Sequence, residues 1–413
     1  MTWLPKSVVC LSYYDRFRFR SDVFAALVLA LQIFPVAIAI AVATGVHPLH
    51  GITCTAVAGL LASALGDSKI RIGGPNIIFV AVASSIVARE GVLGLSLSTL
   101  LAGVLLMFFG AIGLGTAIQM LPRSIAAGFS TGIAVLVVSQ QLPNLLGINS
   151  QLPAGRAAQG ALMVVGNAMQ VKPQAIILAL ATLILTVACR RRFRYIPAGL
   201  IVIAVGALLV KFEHFPVRTI EAVYGSNLMS FHLNPTGTFR LDLLGGILPH
   251  AFPIAVLAAI ESLKAMGLAT RLTGEGFNAD SELFLQAGAN VASAFAGALP
   301  VSGVSSYTSK NAHLGAQTPM AGILQVLFLV VFLFLMAPFV RFIPLPMISA
   351  LILLSVCRMT HWREIPQLIS LARAELAAWF TISLLTIVTD LSIAIGTGML
   401  LGMFLYVRSK GQP

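Results

Sequence analysis

The chain has 413 residues, 58% of them hydrophobic and only 10% charged, with a mean hydropathy of +0.95. A soluble globular chain carries roughly 25% charged residues, so this one has too little polar surface to coat a water-facing core, which excludes a soluble domain. The net charge of +12 does not point to nucleic acid, because the basic residues fall in short loops between apolar runs, where they set membrane topology.

In chain order the apolar segments are predicted at 23–44, 51–65, 76–88, 93–113, 123–142, 174–190 and 195–211, then at 243–266, 282–298, 303–313, 319–338, 344–357, 374–390 and 392–408. Residues 1–22 read as a basic, aromatic cytoplasmic N-terminus with no cleavable signal peptide. Residues 23–211 form a first transmembrane repeat, 212–242 an external connector, 243–408 a second repeat, and 409–413 a cytoplasmic tail. Phe34-Pro35-Val36-Ala37-Ile38 returns as Phe252-Pro253-Ile254-Ala255-Val256, each inside a long apolar run that follows an aspartate, Asp22 or Asp242. A proline inside a membrane helix frees backbone groups, and its recurrence half a chain apart indicates duplication. Of the 26 Lys/Arg, 17 (Arg71, Arg190 and Arg358 among them) fall in loops or ends assigned to the cytoplasm, and seven, including Arg89, fall outside. Lys264 and Lys310 lie inside segments. This bias places both termini in the cytoplasm of a multi-pass protein in the cell inner (plasma) membrane. Seven spans per half then force the second repeat to be inverted. The expected fold is all-α and polytopic: 14 transmembrane segments in two inverted seven-segment repeats.

Segments 76–88 and 303–313 are too short for the ~20 residues of a full crossing. Both follow a Gly/Pro-rich turn, Gly73-Gly74-Pro75 and Leu299-Pro300-Val301-Ser302-Gly303, and both are third in their repeat. Such a pair marks a transport site.

The stretch 290–322, NVASAFAGALPVSGVSSYTSKNAHLGAQTPMAG, resembles the signature of the SulP/SLC26 anion transporters. Asn290, Phe295, Gly297, Pro300, Ser302, Gly303, Thr308, Asn311, Gly315 and Thr318 carry the match. Ala258-Ala259-Ile260-Glu261-Ser262-Leu263 looks like that family's eighth helix, the stretch from Asn278 to Glu282 like the loop after it, and Gly74-Pro75 like the lead into its third helix. The resemblance implies seven-plus-seven inverted repeats with a core and a gate domain, and movement of sulfate, bicarbonate or dicarboxylates. The family usually carries a cytoplasmic STAS domain after the last helix; the resemblance here covers the membrane domain, and the sequence stops at Pro413. Tyr307 stands where many members have Arg, and Val36 where the family often has Gln, the nearest amide being Gln32.

Two short helices meeting N-terminus to N-terminus make an anion site without a charged side chain. The substrate-binding candidates are Asn76, Ile77, Val304, Ser305 and Ser306, with Gln32, Phe79, Tyr307 and Lys310 as further ones. Turn packing, or for Lys310 a side chain reaching to the interface, is the competing account. Glu261 and Lys264 are the coupling candidates. An intramembrane carboxylate is expensive enough to default to a functional role, although a salt bridge one turn apart would also explain the two residues. Glu261 aligns with Ala43 of the first repeat, so the charge is not part of the duplicated scaffold.

His47, His50, His214, His232, His250 and His361 read as loop or interface residues, and His313 as a pH-sensor candidate. Cys10, Cys54, Cys189 and Cys357 show neither metal nor disulfide spacing. The sequence offers no metal ligands, cofactor motif or catalytic constellation, so it reads as a non-enzyme. The expected function is secondary active transport of a small anion by an elevator-like shift, coupled to protons or sodium through Glu261. The expected partners are the anion, a coupling ion, the lipid bilayer and a second copy in a homodimer. A nucleobase permease of the same architecture and an anion channel are the alternatives. The permease ranks lower, since Ser305 to Lys310 offer no second acid.

Overall fold

The computed structural model describes residues 5–149, 164–193, 196–213, 216–226, 228, 244–359, 373–389 and 391–410. Most of the 212–242 connector, Arg156, Arg194, Arg240, Arg363, Asp242, His214, His232, His361 and the end of the tail from residue 411 lie outside the described residues.

After a short α1 (Lys6–Leu11), α2 (Arg16–Thr44) starts where the Asp15 side chain accepts from the Arg18 N–H at 2.8 Å, and ends at Gly45 in the left-handed region (φ 87°). α3 (Pro48–Leu65) opens with proline at its first turn, where no N–H is needed. A three-residue strand β1 (Gly73–Pro75) leads through a 3-10 turn (Ile77–Phe79) into α4 (Val80–Ala111). Gly91 breaks α4 with φ 72° and ψ −174°, a conformation open chiefly to glycine. The third and fourth expected segments are the two sides of this break. α5 (Leu114–Gln119), α6 (Arg123–Leu146), α7 (Pro173–Arg192), α8 (Ala198–Glu213) and the single turn α9 (Glu221–Tyr224) complete the first half.

The second half repeats this order. α10 (Leu244–Thr273) and α11 (Ala279–Gly297) precede a second short strand, β2 (Val301–Gly303), and the nine-residue α12 (Ser305–His313). Then come α13 (Met320–Val340), α14 (Leu345–Met359), α15 (Arg373–Val388) and α16 (Leu391–Lys410). Among the described residues seven helices are long and apolar enough to cross a membrane, and four shorter apolar ones accompany them. Each of the 14 expected segments thus has its element, and the fold is the polytopic helical one the sequence implies. As the single segments 23–44 and 243–266 imply, both α2 and α10 run on through their prolines, Pro35 in α2 and Pro249 and Pro253 in α10. Each proline removes one i→i−4 bond, but packing of the flanking residues Ile33, Phe34, Ala37 and Ile254 to Ala259 into the core holds the axis.

The helices sort into two groups. α4 lies along α10 and α11, and α13 along α2 and α3; β1 and β2 sit inside this group. α6 packs on α14 and α15, α7 on α8 and α14, and α15 on α16. At the join, α2 meets α8 and α14, and α10 meets α16.

Candidate functional site

β1 and β2 pair antiparallel, with Gly73 opposite Gly303, Gly74 opposite Ser302 and Pro75 opposite Val301. The two strands run in opposite directions and each delivers its chain into a short helix, as inverted repeats require. The start of the 3-10 turn at Ile77 and the start of α12 at Ser305 therefore flank one spot.

The signature residues hold this arrangement. Asn290 on α11 accepts from the Val301 N–H (3.1 Å) and donates to the Val301 carbonyl (2.9 Å), completing the bonding of a strand only three residues long. Ser262 on α10 accepts from the Gly303 N–H at 2.9 Å. From α12, Thr308 accepts from the Ile72 N–H (3.2 Å), and Asn311 donates to the Ile70 carbonyl (3.0 Å). Thr318 and the buried Asp22 join α13 to α2: Asp22 accepts from the N–H groups of Gln317 (2.8 Å) and Thr318 (3.3 Å) and from the Thr318 hydroxyl (2.5 Å). Buried backbone polar groups left without such partners would each cost several kcal/mol in lipid.

Glu261 is buried, and its two carboxylate oxygens are separately engaged. Oε1 takes the Lys264 ammonium at 2.8 Å, and Oε2 accepts from Asn76 Nδ2 at 3.2 Å. Asn76 Nδ2 also reaches Ser302 Oγ at 3.4 Å, while Asn76 Oδ1 caps the following turn through the Ile78 N–H at 3.4 Å. The carboxylate is thus wired to the first half-helix through one amide. The i,i+3 salt bridge foreseen from the sequence exists.

At the paired helix starts lies a cavity of about 250 Å³ lined by Asn76, Ile77, Glu261, Lys264, Val304, Ser305, Ser306, Tyr307 and Lys310, and also by Val36, Ile40, Arg190, Ser355 and Arg358. Ser305 and Ser306 open α12, so their N–H groups have no intrahelical acceptor. The Ser305 hydroxyl is buried without a partner. Two candidates are placed elsewhere. Phe79 is packed into the hydrophobic core and does not line the cavity. Gln32 lines an adjoining cavity of about 190 Å³, which shares Val36, Arg190, Lys310 and Arg358 with the first.

Other residues change role. Arg71, assigned to a cytoplasmic loop, is fully buried and paired with Glu282 on α11 at 2.5 Å. A Cβ built on Gly303 would stand 3.2 Å from Arg71 Nε, so this guanidinium lies directly behind β2. His50 is buried within α3, against α11 at Gly297, and is not a loop residue. Arg190 and Arg358, counted only as topology signals, line the cavity; their place at the ends of segments 6 and 12 was visible, but nothing local shows that those ends converge. Glu275, in the turn between α10 and α11, bridges Lys6 and Lys69. Burial pushes its carboxyl upward, but the two lysines outweigh that and hold it below the usual carboxylate range.

Comparison with known proteins gives a consistent answer. The chain is 29% identical over 407 residues to the putative sulfate transporter YvdB of Bacillus subtilis, covering 97% of this chain and 76% of that one. It is 24% identical to the bicarbonate transporter BicA of Picosynechococcus, over 94% of this chain and 70% of that one. In structure it superposes on the transmembrane domain of a cyanobacterial BicA with a TM-score of 0.80 at 21% identity, covering 94% and 98% of the two chains. It also superposes on murine Slc26a9 in the inward-facing state with a TM-score of 0.87 at 14% identity, covering 98% and 71%. At these identities the structural likenesses carry the fold alone. Residues 19–382 match the sulfate permease family, and the chain belongs to that family, the SulP/SLC26 transporters.

Proposed function

We propose that this protein is a secondary active transporter of a small anion of the sulfate, bicarbonate or dicarboxylate class. The observation that carries the reading is the cavity at the two half-helix starts that β1 and β2 hold together. Each helix start contributes roughly half a positive charge and unpaired N–H donors. The carboxylate in the wall, Glu261, is already neutralised by Lys264, so the cavity stays electropositive. The relatives named for sulfate and for bicarbonate support the substrate class.

Coupling runs through Glu261. A proton on this carboxylate, or a sodium ion beside it, weakens its hold on Lys264 and leaves the ammonium facing the cavity. Cation and anion then favour each other's binding, and the coupling is reciprocal, as symport requires. The elevator step carries the α2–α4 and α10–α13 group against the α6–α8 and α14–α16 group, in the inner (plasma) membrane with both termini cytoplasmic.

The test is uptake of labelled sulfate, bicarbonate and a dicarboxylate into proteoliposomes under imposed proton or sodium gradients. Saturable uptake driven by one of the gradients is expected. Glu261→Gln should keep equilibrium exchange and lose uphill accumulation. If accumulation is unchanged in that variant, Glu261 is structural. An absence of flux for every anion tested ends the transporter reading, and single-channel currents independent of Glu261 replace it with a channel.

A further inference from the structure

Three cations converge where the two helix groups meet. Lys310 comes from the short helix α12, Arg190 from the end of α7 and Arg358 from the end of α14, and all three line both adjoining cavities. Among the described residues none of the three has a carboxylate within ion-pair distance. Glu261 shares the larger cavity but is bound to Lys264 and Asn76. Arg190 Nη1 is buried with no hydrogen-bond partner. Three like charges facing a confined space repel one another and lose hydration, a poor arrangement unless a counter-charge enters. Two guanidiniums, with planar forked donors, suit the paired oxygens of an oxyanion, and three cations are balanced better by a dianion than by a monoanion.

We propose that Arg190, Lys310 and Arg358 form a second anion station, sharing a cavity with the half-helix starts and extending into the adjoining one, for a divalent tetrahedral oxyanion of the sulfate or phosphate kind. The proposal deepens the transport reading and rests on it for its role, because the station straddles the moving and fixed groups. Lys310 travels with α12 while the two arginines stay with α7 and α14. A bound dianion therefore ties the groups together, and movement of the core releases it from the arginines. A monoanion leaves most of the charge unbalanced, so the station discriminates by valence.

The experiment measures equilibrium binding of labelled inorganic sulfate to the full chain in nanodiscs of neutral lipid, with no gradient. Arg190→Gln and Arg358→Gln should each weaken sulfate binding about tenfold or more, the worth of a charge-assisted hydrogen bond, with bicarbonate binding little changed. Arg358→Lys, which keeps the charge, should recover part of the loss, and unchanged melting temperatures guard against misfolding. Adding an anionic phospholipid tells the sources apart. Competition with sulfate assigns a lipid phosphate to the same three cations, and no competition assigns the free anion. Sulfate affinity unchanged in both glutamine variants overturns the proposal. Because binding needs no flux, arginine-dependent binding without uptake refutes transport alone, and arginine-independent binding with intact uptake refutes the station alone.

Discussion

The two half-helices share a backbone plan and differ in chemistry. In the first repeat, β1 is followed by Asn76, whose side chain is used up on Glu261, Ser302 and its own turn, and then by the buried apolar residues Ile77, Ile78 and Phe79. In the second, β2 is followed by Val304 and then Ser305-Ser306-Tyr307, with the Ser305 hydroxyl unpartnered and Lys310 one turn on. Duplication supplies two matching helix starts. On the proposed function, divergence leaves one copy mainly as scaffold and makes the other the face that meets the anion.

The widest break in this comparison removes the support shared by both copies. Glu282→Ala leaves Arg71 as an uncompensated buried charge behind β2. A loss of about 3–5 kcal/mol is expected, visible as a large fall in melting temperature. A melting temperature unchanged within a degree or two contradicts the burial of this pair.

A matched pair sharpens the division of labour. Asn76→Ala should cost about 1–2 kcal/mol of stability, because it removes a cap and strands Glu261 Oε2. Ser305→Ala should leave stability nearly unchanged and raise the KM for anion uptake by about tenfold or more, the worth of one hydrogen bond to a charged group. If the two variants exchange signatures, the scaffold and contact roles are reversed.

The smallest effect is peripheral. Glu275 joins the turn after α10 to Lys69, just ahead of β1, and to Lys6. Its folded-state pKa lies below the unfolded value, so its contribution is present above the unfolded carboxylate pKa and is lost as pH falls through the folded one. For so exposed a cluster that contribution is under about 1 kcal/mol. Melting curves at pH 7 and at about pH 4 should differ less for Glu275→Gln than for the unaltered chain.

Much of this was legible in the sequence, for identifiable reasons. Gly73-Gly74-Pro75 and Pro300-Val301-Ser302-Gly303 interrupt apolar runs, and both became the strands that set the half-helices. Glu261 and Lys264 stood out as charges inside an apolar segment. Arg71 did not, because a lone arginine in a short loop looks the same whether it faces water or a carboxylate 211 positions away; only the fold brings Glu282 to it. Arg190 and Arg358 were hidden in the same way, since topology alone accounts for basic residues at helix ends. Phe79 follows the Gly73-Gly74-Pro75 turn and Gln32 lies three residues before Pro35, but which side of the helix faces the cavity depends on its rotation, and packing sets that rotation.

The central claim is that the anion is held at the start of α12. Ser306→Asp tests it most directly, because the same charge has opposite effects on folding and binding. A carboxylate in the first turn favours the helix dipole by about 0.3–1 kcal/mol, so stability should hold or rise. The same carboxylate occupies the positive end that the anion needs, so uptake of labelled sulfate and bicarbonate into proteoliposomes should collapse. A stable Ser306→Asp protein with undiminished uptake would place the anion elsewhere.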